Sequence, residues 1–317
     1  MEHAMALATS APALPVGRPL VLDEGEYLIA DGFTLQTPQI RVQPGRLHAL
    51  VGPNGAGKTS LLRLLSGAQE AGRKSVYFGD GPPLLLSDVP QMHAVGVVSH
   101  APGSWALGLY DRLCLDAALV GATPRAAMEL AARWIEHLGL DDVASKPWSA
   151  MSAGFRMRAA IARQMVQGPP VLLLDEPLGP LDIVTQRRVL DDLQTIARLP
   201  PSGVAVVLSS QHLAAVESVA DDLIMVEAGH ITYAGPRSQF GQRFGTTVFE
   251  VSAPGQTHAL CECLQAAGGT IQRTDSGGVR AEFAAATTSL DVMTALVAAR
   301  LPVQHLRELT NSAARLL

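Results

Sequence analysis

The stretch LHALVGPNGAGKTSLLRLLSG, from Leu47 to Gly67, constrains the fold more than any other part of the 317-residue chain. An apolar strand, Leu47 to Val51, runs into Gly52, Pro53, Asn54, Gly55, Ala56, Gly57, Lys58, Thr59 and Ser60, and a leucine-rich helical pattern follows. The segment matches G-x-x-x-x-G-K-[ST] in the strand–loop–helix setting that a phosphate-binding loop requires. Glycines let backbone N–H groups close around phosphate oxygens, and the helix N-terminus adds the positive end of its dipole. Lys58 is then placed to reach the terminal phosphates of a nucleoside triphosphate, and the Thr59 hydroxyl to ligate Mg2+.

A second element, PPVLLLDEPLGPLD, spans Pro169 to Asp182. Val171 to Leu174 read as a strand buried on both faces. Asp175 and Glu176 follow at its carboxyl end, where ligands bind in open α/β sheets. By composition alone the two acids suit a helix-capping turn equally well. Downstream of a phosphate loop, Asp175 reads as a Mg2+ ligand and Glu176 as the group that polarises an attacking water.

Between these elements lies SAMSAGFRMRAAIARQMVQGPP. Here the chain resembles the ATP-binding cassette (ABC) family, whose signature is Leu-Ser-Gly-Gly-Gln followed by a basic helix. The five positions are Met151, Ser152, Ala153, Gly154 and Phe155, so Ser152 and Gly154 are kept and three positions depart. The resemblance implies that Ser152 and Gly154 contact ATP held by an opposing cassette, through a hydroxyl, backbone N–H groups and a helix N-terminus. It also places Asp182 in the loop that follows the Asp175 strand, and His100 of VGVVSHAPGSW where most members carry glutamine. Residues 101 to about 157 correspond to the helical subdomain that meets the membrane partner. Within it, RAAMELAARWIEHLGL puts Met128, Leu130, Ala131, Trp134, Ile135 and Leu138 near one face. Tyr27 is the nearest aromatic to the position that stacks on adenine, with core packing as its alternative role.

The family also carries a switch histidine after a strand of this region, two residues before a leucine and six before a glutamate. In VVLSSQHLAAVE, counting back from Leu213 and from Glu217 gives Gln211 both times. His212 is one position out of register, and one position turns a strand side chain to the other face. Gln211 is therefore assigned to the catalytic set with Glu176 and His100. Glutamine and histidine have exchanged places on two loops that approach the same phosphate. Gln211 can donate a hydrogen bond but cannot take up a proton, which leaves His100 as the titratable member.

Beyond residue 243 the texture changes. TTVFEVSA reads as a strand and THALCECLQAAGG as a helix. GVRAEF alternates Val279, Ala281 and Phe283 against Arg280 and Glu282. Thr288 and Asp291 form a capping box for a helix with Leu290, Met293, Leu296 and Val297 inward, and VQHLRELT reads as a last strand. This β-α-β-β-α-β order predicts a small sandwich, a dimerisation or regulatory element by fold-level analogy.

The whole therefore reads as α/β: a P-loop NTPase cassette (RecA-like core sheet plus helical subdomain) with a small C-terminal α+β domain. A tail covers 1–18, the cassette 19–243 and the C-terminal module 244–317. The net charge of −5 leaves no basic footprint for nucleic acid. Three cysteines, two of them Cys261 and Cys263, form no disulfide framework and fit a reduced cytosolic chain. No apolar run reaches the ~18 residues of a membrane span. The resemblance implies an ATPase with ATP and Mg2+ that dimerises, as a homodimer or heterodimer. It would sit on the cytoplasmic face of the membrane and energise a separately encoded permease, as an exporter. A weakly hydrolysing regulatory cassette and a soluble non-transport ABC ATPase are the alternatives.

Overall fold

The computed structural model describes residues 15–30, 32–69, 75–84, 93–99, 104–211, 216–241, 245–273 and 278–309. His100 and His212 lie outside them. The described residues divide into two compact units, one up to Ala234 and one from Gly235.

The first unit opens with β1 (Leu20–Leu22), β2 (Gly25–Ala30), β3 (Phe33–Thr37), β4 (Ile40–Val42) and β5 (Leu47–Val51), followed by α1 (Lys58–Leu65). Next come β6 (Val76–Phe78), β7 (Val95–Val98), and the helices α2 (Leu109–Leu119), α3 (Pro124–His137) and α4 (Ala153–Met165). It continues through β8 (Val171–Leu174), α5 (Ile183–Ala197), β9 (Ala205–Ser210), β10 (Asp222–Glu227) and β11 (His230–Pro236).

Eight strands form one sheet in the order β2-β3-β11-β10-β5-β9-β8-β7. Its centre, from β10 to β7, is parallel throughout. These strands read as continuous apolar runs because helices cover both faces of a parallel sheet. Accordingly, every residue of β5, β8 and β9 is buried. β9 lies between the strand that feeds the phosphate loop and the strand that ends in Asp175, the order of a RecA-like core sheet. A polar residue also sits inside β5: His48 is 1% exposed, its Nδ1 3.3 Å from Asp222 of β10. Its Nε2 accepts from the Gln43 N–H at 3.0 Å. Burial is the first cause that holds its pKa below the ordinary value, ahead of the opposing pull of Asp222. A separate antiparallel sheet, β4-β1-β6, packs its buried strand β1 into the core that holds α1.

The helical layer is held by an apolar stripe and a buried ionic cluster. Thr123 caps α3 by accepting from Ala126 N–H, with Pro124 at the first helical position. The buried stripe of α3 and its end is Ala127, Ala131, Trp134, Ile135 and Leu138. This corrects the sequence reading at Met128, which is 54% exposed because it lies a further 100° around the helix from Ala127. Asp116 of α2 is 2% exposed and holds Arg112 at 2.8 Å and Arg163 of α4 at 2.7 Å. Arg163 lies 4.8 Å over the Trp105 ring, which packs 4.3 Å from Trp148.

The second unit contains α6 (Arg237–Phe240), β12 (Thr246–Ser252), α7 (Thr257–Ala266), β13 (Thr270–Arg273), β14 (Val279–Ala284), α8 (Ser289–Ala298) and β15 (His305–Glu308). Its sheet runs β13-β14-β12-β15 with antiparallel neighbours, a split βαβ arrangement. Val279, Ala281 and Phe283 of β14 are buried with Phe249, Leu260 and Leu264 in its own core. The Thr288–Asp291 capping box is formed. The expected inward face of α8 is corrected: Val292 and Leu296 are buried, whereas Leu290, Met293 and Val297 are 73%, 50% and 70% exposed. Val292 and Leu296 stand one turn apart, and Leu290 falls about 160° around the helix from Val292.

Candidate functional site

The loop between β5 and α1 is shaped by close backbone approach. A side chain at Gly52 would place its Cβ 2.2 Å from the Val226 carbonyl oxygen of β10. Gly57 holds φ at +114° as the N-cap of α1, a conformation that only glycine adopts freely. Any Cβ there would stand 3.1 Å from both Leu35 and Phe33. Phe33 is thus the aromatic against the loop, while Tyr27 is 5% exposed and donates to Asp23 O at 2.8 Å, a core residue. Ala56 is buried, Pro53, Asn54 and Gly55 are exposed, and Ser60 is half-buried in the first turn of α1.

Lys58 is 6% exposed and folds over the loop, donating to Gly52 O at 2.9 Å and Pro53 O at 3.1 Å. Its ammonium also stands 3.3 Å from Glu176 Oε1, a buried oxygen that has no hydrogen-bond partner among the described residues. Thr59 Oγ1 donates to Asp175 Oδ2 at 2.8 Å across 116 residues of sequence. Two motifs read separately in the sequence therefore meet at one place, at the carboxyl ends of β5 and β8.

Ser209, near the end of β9, was not among the residues singled out from the sequence. Its hydroxyl donates to Asp175 Oδ1 at 2.8 Å and accepts from the Glu176 N–H at 2.8 Å. The adjacent serines in VVLSSQ carry no spacing that marks them, since serines are equally common in polar turns. Gln211 follows two residues later, and its backbone N–H donates to Glu176 Oε2 at 3.3 Å. Glu176 itself holds φ at +47°, a strained conformation for a side chain of this size.

Ser152, Gly154 and Asp182 form a second cluster on α4 and α5. Ser152 caps α4, its Oγ accepting from Phe155 N–H at 3.4 Å. Asp182 caps α5, accepting from Thr185 N–H at 2.9 Å and from the Thr185 hydroxyl at 2.7 Å. The Thr185 backbone bond, followed by the hydroxyl, lowers its pKa. Gly154 lets the helices close: a Cβ there would lie 2.5 Å from Thr185 Cγ2. One threonine thus links the two loops within the chain.

The residues suit a magnesium nucleoside triphosphate on chemical grounds. A hydroxyl and a carboxylate 2.8 Å apart are hard oxygen donors of the kind Mg2+ takes. The glycine loop leaves Gly55 with nothing within 4 Å of an added Cβ. Sheet order, loop and paired acids together define a P-loop nucleotide hydrolase.

Residues 35–179 match the ABC transporter family. The aliphatic sulfonates import ATP-binding protein SsuB of Albidiferax ferrireducens is 32% identical over 232 residues, covering 70% of this chain and 78% of that protein. The cytochrome c biogenesis ATP-binding export protein CcmA of Nitrobacter hamburgensis is 41% identical over 150 residues, 46% of this chain and 71% of that protein. The structure of cbiO1 from Clostridium perfringens, described as part of the ABC transporter complex cbiONQ, shares the fold. Its TM-score is 0.63 at 23% identity, over 72% of this chain and 92% of that one. The chain belongs to the ABC family of transporter ATP-binding proteins, and it is an ATPase of that family. Among the described residues, no helix is long and apolar enough to cross a membrane.

Proposed function

We propose that this chain hydrolyses MgATP between two cassettes to energise a separate transmembrane permease, which it joins at the cytoplasmic face. The observation that carries the reading is the meeting of Thr59 with Asp175 and of Lys58 with Glu176. Residues 52–60 would cradle the phosphates, and Thr59 and Asp175 would hold Mg2+, which when bound neutralises charge on the phosphate oxygens. Lys58 would exchange its carbonyl partners for phosphate oxygens. Glu176 Oε1, which has no hydrogen-bond partner among the described residues, is suited to accept a proton from water. The Gln211 side chain would orient the terminal phosphate, with His100 as the titratable partner. Ser152, Gly154 and Asp182 would face ATP bound to the opposing cassette, in a homodimer or heterodimer.

The division into a tail (1–18), a cassette (19–243) and a module (244–317) belongs to the same proposal. Export is the direction we favour, on the 41% identity to an export protein over 150 residues and on the resemblance of the C-terminal module to extensions of exporter cassettes, although most of the similar proteins are named for import. Glu176→Gln tests the centre of the reading. The variant should retain ATP and accumulate as a closed dimer, measured by light scattering, while phosphate release is lost. Parental turnover in that variant overturns the assignment of Glu176. Negligible turnover by the parent chain alone would favour a weakly hydrolysing regulatory cassette instead.

A further inference from the structure

We propose that Ser209 is a positioning residue of the hydrolytic centre, setting both the Asp175 carboxylate and the backbone of Glu176 through one hydroxyl. The inference rests on the reading of Asp175 and Glu176 given above.

Ser209 is fully buried on β9 after the apolar run Ala205–Leu208, where a hydroxyl is retained only if its hydrogen bonds are made. Both of its bonds run to the centre. The donated bond fixes Asp175 Oδ1 at 2.8 Å, and Thr59 fixes Oδ2 at the same distance. With both oxygens held, the carboxylate has one orientation, and Thr59 is aimed by the same contact. A group that orients a metal-binding carboxylate acts on metal affinity without touching the metal. The accepted bond ends on the Glu176 N–H at 2.8 Å. Glu176 stands in a left-handed conformation at φ +47°, which persists only where the surroundings fix it. Gln211, one residue past the end of β9, meets the same acid through its backbone N–H, 3.3 Å from Glu176 Oε2. The end of β9 therefore fixes two groups through one hydroxyl, the metal-binding acid and the base.

Two variants test this, Ser209→Ala and Ser209→Cys, the second keeping the bulk while supplying only a weak donor. Binding of ATP without metal, followed with a fluorescent ATP analogue, should stay within about twofold of the parent, because the loop and Lys58 are untouched. Protein-bound Mn2+ at fixed ATP, read by electron paramagnetic resonance, should weaken about 10–100-fold in both variants. kcat should fall by a similar factor while KM for ATP holds. Parental Mn2+ affinity and kcat in either variant overturns the proposal. So does a collapse of metal-free ATP binding alongside them, since that is the mark of a merely structural hydroxyl. If the parent chain itself neither binds Mn2+ with ATP nor hydrolyses ATP, the functional reading fails. If the parent does both and the variants match it, only the role of Ser209 fails.

Discussion

At the scale of single residues, the site divides into groups recognisable by type and groups recognisable only by place. Gly52, Lys58 and Thr59 carry a spacing that backbone geometry requires, so the sequence announces them. Ser209 carries no spacing; it matters because β9 is threaded between two strands distant in sequence. The same strand bears on the exchange between Gln211 and His212. Gln211 stands one residue beyond β9, and its backbone N–H reaches Glu176 Oε2 at 3.3 Å, which puts it beside the acid that the switch position would serve. Gln211→Ala should lower turnover about 10–100-fold, as expected for loss of a group that orients a reacting phosphate. His212→Ala should leave turnover near the parental rate. Phosphate release by the two variants decides it, and a crippled His212→Ala beside an unaffected Gln211→Ala reverses the assignment.

Elements were legible in their kind and less so in their rotation. The strands at Leu47–Val51 and Val171–Leu174, and the capping box of α8, stand where the pattern put them. Met128 and three residues of α8 do not, because apolar residues lie on more than one side of those helices and sequence alone does not say which side meets a sheet. The contact between α4 and α5 was not legible at all. Near it Arg158 of α4 donates to Leu138 O at the end of α3 at 2.7 Å, and Asp192 Oδ2 of α5 is buried with no hydrogen-bond partner among the described residues. Burial pushes the Asp192 carboxyl from 3.8 to about 6, against the pull of Arg158 and Arg188 and with the repulsion of Asp191. Between these values the folded chain binds more protons than the unfolded one, so this carboxyl erodes stability as pH rises from about 4 to about 6. Asp192→Asn removes the penalty. Its melting temperature should match the parent's near pH 4 and exceed it increasingly toward pH 7. A difference that stays flat or shrinks over that range contradicts the assignment.

For the whole molecule, two cores imply two separable stabilities. Phe283 is 3% exposed and packs edge-on against Phe249 at 5.8 Å in the core of the second unit. Truncating a buried aromatic costs about 3–5 kcal/mol, close to what a domain of this size has to lose. Phe283→Ala should therefore melt the unit from Gly235 early in a calorimetric scan. MgATP at about 100 times its Kd should raise the other transition, by about 2.7 kcal/mol of linkage. An equal shift of both transitions by either perturbation would show that the cores melt as one.

The position of β9 also has a consequence in time. Thr59 leaves the ribosome early, Asp175 follows 116 residues later, and Ser209 another 34 after that. At about 5–20 residues per second, roughly 8–30 s separate the appearance of the phosphate loop from that of the serine. Yet β5, which feeds the phosphate loop, pairs with β9 and β10, and Gly52 packs against Val226 of β10, so the loop emitted early is completed only after Ser209 has emerged. Nucleotide capture and nucleotide hydrolysis are thus acquired together, late in synthesis, when β9 and β10 close on either side of β5.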